Sequence, residues 1–140
     1  MDTNNRRERL IGMTKGQLEA KLSEIVSKFE VVNSGRGPKT IRSYIINDMI
    51  VIRMISYLSQ GEKHLATSDK GISLFKQVNT LLFEQGRDNL ETLIKEAFNI
   101  NIVSAHMDLS TKTGEKIIIL TLKEDLEEQI RNNVPVSVYR

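Results

Sequence analysis

Thr40-Ile41-Arg42-Ser43-Tyr44-Ile45-Ile46-Asn47-Asp48-Met49-Ile50-Val51-Ile52-Arg53-Met54-Ile55 is the stretch whose reading decides the fold. Two runs rich in β-branched residues, 40–46 and 49–55, are separated by two residues, the commonest length for a tight hairpin. Asn47 and Asp48 are residue types that tolerate positive φ better than most. A two-residue turn there pairs Ile45 with Ile50, Ser43 with Ile52 and Ile41 with Met54. That face is nearly all apolar and belongs against helices. The opposite face carries Ile46 with Met49, Tyr44 with Val51 and Arg42 with Arg53. A slip of one residue would exchange the two faces, so the pairing specifies the core. Two cations directly opposite one another are unfavourable unless something neutralises them.

A second hairpin is expected from 101–109 and 116–122, joined through Ser110-Thr111-Lys112-Thr113-Gly114-Glu115. Gly114 supplies the positive φ that a four-residue turn, 111–114, can use. This pairing sets Val103, Ala105 and Met107 against Leu122, Leu120 and Ile118 on the core face. Ser104, His106, Asp108, Ile117, Ile119 and Thr121 then occupy the other face.

Helical periodicity fills the rest. Thr14 with Gln17 forms a capping box, and Leu18, Leu22, Ile25, Val26, Phe29 and Val32 follow at helical spacing. Asn33-Ser34-Gly35 is the stop signal. Ser59-Gln60-Gly61-Glu62 reads as a second capping box, starting a short helix to about Ala66. Thr67-Ser68-Asp69 recaps the chain, and Ile72, Phe75, Val78, Leu82, Leu90, Leu93, Ile94, Ala97 and Phe98 mark a long amphipathic helix. A continuous helix over 70–98 would run roughly 40 Å, long for so small a domain, so it either bends near Gly86 or projects toward a partner subunit. Lys123–Ile130 reads as a short helix. The expected fold is α+β, in the order α-ββ-α-α-ββ-α: a four-stranded antiparallel sheet of two hairpins with helices on one face. The stripes of Leu22, Ile25, Phe29, Phe75, Val78 and Leu82 are expected to pack on it. A polar arm, 1–13, precedes a single domain, 14–130. The tail, 131–140, alternates apolar residues at Val134, Val136 and Val138, and Pro135 restricts it to a sheet edge.

At 140 residues the chain is one domain by length, and such a domain buries about two-thirds of its unfolded surface. With 39% hydrophobic and 27% charged residues it fits an ordinary globular protein. The longest apolar runs, Met49–Ile52 and Ile117–Leu120, are strand-sized, far short of the roughly 20 residues of a membrane span. The absence of cysteine excludes disulfides and thiol catalysis and fits a reducing cytoplasm. A net charge of +2 permits weak attraction to nucleic acid or an anionic membrane surface without demanding it.

Candidate chemistry concentrates in the turns. Gly35-Arg36-Gly37-Pro38-Lys39 can cradle an anion, with Arg36 and Lys39 supplying charge. It can equally be a helix-to-strand turn, and the spacing of a Walker loop is missing. Thr111, Lys112 and Thr113 can contact phosphate or a protein from the second hairpin tip, or simply make the turn. Together with Arg42 and Arg53 these are the candidate anion- or partner-binding residues. Tyr44, Ile46, Met49 and Val51 form a candidate interface, unless another segment of the chain covers them. His106 and Asp108 share a strand face, but no nucleophile stands beside them. With His64 as the only other histidine, neither a metal site nor a catalytic constellation is indicated. No cofactor and no enzymatic activity are expected.

Gly35–Lys39, the strand pair from Tyr44 to Arg53, Glu62-Lys63 and Asp108–Glu115 together resemble the bacterial MpsC family. The likeness covers about Leu18–Leu122 and departs from the family's pattern at Gly61. It implies an accessory or regulatory role in a sodium-translocating, membrane-potential-generating system. It also implies a cytoplasmic location, peripheral at the inner face of the membrane, with membrane-transport subunits as partners. The residues leave protein docking and small-anion binding both open, and a homodimer is expected from the long helix and the apolar outer hairpin face. The alternative is a nucleic-acid-binding or regulatory module, disfavoured by few aromatic residues and balanced charge.

Overall fold

Each helix begins where a side chain satisfies an orphan backbone donor. In the structure, a computed structural model that describes residues 13–132, the Thr14 hydroxyl accepts the Gln17 N–H while the Gln17 side chain accepts the Thr14 N–H. This reciprocal box starts α1 (Lys15–Ser34), which ends at Gly35 with φ 86°. The hairpin follows as β1 (Thr40–Ile46) and β2 (Met49–Ile55). Ser59 and Glu62 form the second capping box and open α2 (Gln60–Leu65), and the Ser68 hydroxyl caps α3 (Asp69–Phe98). β3 (Ile102–Leu109), β4 (Glu115–Leu122) and α4 (Leu126–Arg131) complete the chain. The arm to residue 12 and the tail from residue 133 lie outside the described residues.

The fold is α+β, with one antiparallel sheet in the order β1-β2-β4-β3. The first hairpin pairs as its turn length dictates, including Ile45 with Ile50 and Arg42 with Arg53. Asn47 alone of the two turn residues takes a positive φ, 53°. The second hairpin keeps the expected pairs Ala105–Leu120 and Met107–Ile118. It departs at its open end, where a bulge between Ile102 and Ser104 pairs Ile102, not Val103, with Leu122. Val103 is therefore turned to the surface, 68% exposed. The extra residue reverses the inside-outside alternation for the strand beyond it.

Leu18, Leu22, Val26 and Phe29 of α1 and Leu90, Ile94 and Phe98 of α3 pack with Ile45, Ile50, Ile52, Ile118 and Leu120 of the sheet into one core. Full burial of each such side chain is worth about 1.5–3 kcal/mol. α3 runs uninterrupted through Gly86 for 30 residues. Gly86 is a crossing point: a Cβ there would lie 2.3 Å from the Asn33 side-chain oxygen, and Asn33 donates to the Leu82 carbonyl. The first half of α3 buries only Gly71, Phe75 and Phe83. Val78, expected on the buried stripe, is 56% exposed, because that half of the helix extends past the sheet core and meets α2 and the loop before it.

Candidate functional site

The start of β1, the end of β2, the end of β3 and the start of β4 all lie at one end of the sheet. Antiparallel pairing forces this, and it gathers the distinctive loops. Lys39 N–H donates to Ile55 O at 2.7 Å, and Ser56 N–H donates to Gly114 O at 3.0 Å. The Gly35–Lys39 turn, the strand exit at Ser56 and the second hairpin tip thus form one cluster. Glu62 joins it by an ion pair to Arg36.

On the helix side of this cluster lies a cavity of about 120 Å³. Its polar wall includes Glu30, Arg36, Glu62 and Lys116. Tyr57, Phe75, Val78 and Leu82 supply apolar wall. Tyr57 and Val78 are each 56% exposed, so they frame the mouth. Lys116 Nζ lies 2.9 Å from Glu30 Oε2, with the two side chains only 10% and 6% exposed. Burial would raise the Glu62 carboxyl. The Ser59 backbone N–H and the Arg36 guanidinium outweigh it and hold the group below the usual carboxylate range.

Arg42 and Arg53 are opposite one another on the outer face of the sheet. The neutralising group is Glu115, diagonal to Arg53 across β2 and β4, whose Oε2 accepts from Arg53 at 2.7 and 3.2 Å. The hydrogen bond and charge of Glu115 raise the Arg53 pKa. Asp108 does not serve this purpose, since it sits on the far edge strand β3. Arg42 makes no hydrogen bond or ion pair with another described residue. Tyr44, Met49 and Val51 are half-buried and Ile46 is exposed, all on the same outer face. Among the elements of the second tip, the Ser110 hydroxyl accepts the Thr113 N–H and Thr113 Oγ1 accepts the Glu115 N–H, while Lys112 is exposed. Lys39 is exposed beside the first turn.

The structure thus brings Arg36 to the cavity, sets Arg42 and Arg53 on the opposite face, and leaves Lys39 and Lys112 at the rim of the loop cluster. Sequence reading missed Glu30 and Lys116. Both carried a signal: Lys116 shares the inward parity of Ile118 and Leu120, and Glu30 falls beside Phe29 on the buried stripe of α1. A charged residue at an inward position requires a buried partner. Among the described residues no cluster of His, Cys, Asp or Glu has the arrangement of a metal site, and no helix is long and apolar enough to cross a membrane.

An uncharacterized protein of Bacillus subtilis strain 168, YbcI, is 30% identical to this chain over 117 residues, covering 84% of this chain and 94% of that protein. No solved structure matches the chain. The sequence model of MpsC, described as a Na+-translocating membrane potential-generating system, matches residues 14–124. A match over that much of the chain, spanning every strand and the loop cluster at the cavity, shows that the chain belongs to the MpsC family.

Proposed function

We propose that this protein is an accessory component of a bacterial membrane-potential-generating, cation-translocating system, and that it acts by docking on a protein partner through the cavity end of the sheet. The conducting path belongs to membrane-embedded partner subunits. The family description supports the setting. The mode of action rests on one observation: the cations nearest the cavity are already matched, Arg36 by Glu62 and Lys116 by Glu30, while the mouth is framed by exposed apolar side chains. A site for a free anion needs surplus positive charge. A cavity with internally balanced charge and an apolar rim instead suits a side chain of a partner, in the manner of a hot-spot pocket.

The test is co-purification with membranes of the native organism, with identification of retained transport subunits by mass spectrometry. Tyr57→Ala and Val78→Asp should each abolish retention, and calorimetry with phosphate or bicarbonate should show no heat of binding. Retention of the same subunits by both variants would refute docking at this end. Saturable phosphate binding abolished by Arg36→Met would return the site to anion chemistry.

A further inference from the structure

The outer face of the sheet lies opposite the face on which α1 and α3 pack. Its side chains fall into cross-strand rows. One row reads Arg42, Arg53, Ile117, Asp108 from β1 to β3; the next reads Tyr44, Val51, Ile119, His106; the third reads Ile46, Met49, Thr121, Ser104. The centre is apolar, with Val51 beside Ile119 and Met49 close by. The Arg53–Glu115 pair bridges the two central strands, β2 and β4, and the charges without a partner sit at opposite edges. Arg42 and Asp108 occupy the two ends of one row, separated by three strand spacings of about 4.8 Å, or roughly 14 Å. They cannot reach each other, and neither pairs with another described residue.

We propose that this face binds a second copy of the chain, sheet to sheet, about a two-fold axis that lies in the contact plane parallel to the strands. Such an axis exchanges the two edges of the sheet while keeping every row at its own level. Arg42 then meets the partner's Asp108, and Asp108 meets the partner's Arg42, so two unpaired charges become two ion pairs. Val51 meets the partner's Ile119 and Tyr44 meets the partner's His106. The other in-plane axis, perpendicular to the strands, would lay Arg42 on the partner's Ile46 and Asp108 on the partner's Ser104, leaving both charges unpaired, whereas Arg53 keeps Glu115 within its own sheet in either arrangement. Charge complementarity therefore selects one of the two arrangements. Aligned sheets cross at about −30°, which displaces the corners by roughly 5 Å, within reach of an arginine side chain.

Two strands of seven residues and two of eight present a projected area of roughly 450 Å² per copy. The two copies together approach the lower bound of about 1,000 Å² for a specific interface, so the dimer is of moderate affinity and concentration-dependent. This contact uses the face opposite the cavity mouth and stands independently of the partner proposed there.

Sedimentation equilibrium of the full chain across the micromolar range is the test. The wild type should approach twice the 16.0 kDa chain mass. Arg42→Asp and Asp108→Arg should each weaken the dimer on the order of tenfold, and the double substitution should restore it. Val51→Asp should leave a folded monomer by circular dichroism. A wild type that stays at 16.0 kDa throughout overturns the proposal. So does a dimer indifferent to Val51→Asp, or one in which the double substitution fails to restore association. A monomer that binds single-stranded oligonucleotide, with binding lost in Tyr44→Ala, would overturn the proposal and assign the face to polynucleotide instead.

Discussion

Glu30 and Lys116 come from α1 and β4 and close a buried ion pair at 2.9 Å in the cavity wall. Removing one member leaves the other largely buried without its counter-charge. Lys116→Met should destabilise the fold by about 3–5 kcal/mol, whereas Glu30→Leu combined with Lys116→Met should lie close to the wild type. Urea denaturation of the three variants checks both values. A single variant as stable as the wild type would mean that water reaches the pair. The double variant also separates stability from docking, since it keeps the apolar rim and the Arg36–Glu62 pair while removing the buried one.

Gly71 sits where α3 begins and α2 leans on it. A Cβ at that position would lie 1.9 Å from the Leu65 carbonyl oxygen and 2.7 Å from its carbon, both backbone atoms that cannot swing aside. Gly71→Ala must therefore push α2 away, at a cost of about 1–3 kcal/mol. Because α2 carries Glu62, the same variant should also loosen the Arg36–Glu62 contact. Amide hydrogen exchange should show faster exchange in α2 with the sheet unchanged.

The hairpin pairing was legible because a two-residue turn leaves no freedom in register, and Arg42 opposite Arg53 followed directly. The error at Val103 has the same root: alternation assumes equal residue counts on both strands, and a bulge breaks that count without a signature in side-chain type. Val78 was misplaced because periodicity identifies a helix face but not where along 30 residues the rest of the fold stops covering it. The candidate site was half legible. Loop residues such as Arg36 stand out by composition. Their partners, Glu62 and Glu115, are assigned by tertiary approach, which spacing does not encode. Lys116 could have been found by strand parity alone.

The depressed Glu62 carboxyl makes a prediction for pH. Burial opposes its ionisation, but the Ser59 N–H and Arg36 favour the carboxylate more strongly. A group whose folded pKa lies below its unfolded value contributes stability that is present above the unfolded pKa of about 4.5 and lost as pH falls through the folded value. Arg36→Met removes one of the two favourable contacts, so the Glu62 pKa should rise and the acid-unfolding midpoint should move to higher pH. Carbon-detected NMR titration of the Glu62 carboxyl measures the first and circular dichroism the second. An unchanged titration in the variant would show that the Ser59 N–H alone sets the carboxylate.

β1 is an edge strand, and Glu19 of α1 guards it. The Glu19 Oε2 accepts the Ile45 N–H at 2.8 Å, occupying a donor that otherwise faces outward from the sheet. One turn along α1, the Ser23 and Ser43 hydroxyls meet at 2.8 Å. A helix laid along an edge in this way blocks a second strand from adding to it. Glu19→Ala should cost about 1–3 kcal/mol through the unsatisfied donor. It should also open the edge to pairing with other chains. Thermal scans with light scattering should show aggregation at a lower temperature than for an equally destabilised core variant such as Leu22→Ala. If the two aggregate alike at matched stability, the hydrogen bond supports the fold without protecting the edge. The comparison also distinguishes edge pairing from the face-to-face contact proposed above, because Val51→Asp should suppress the latter and leave edge aggregation intact.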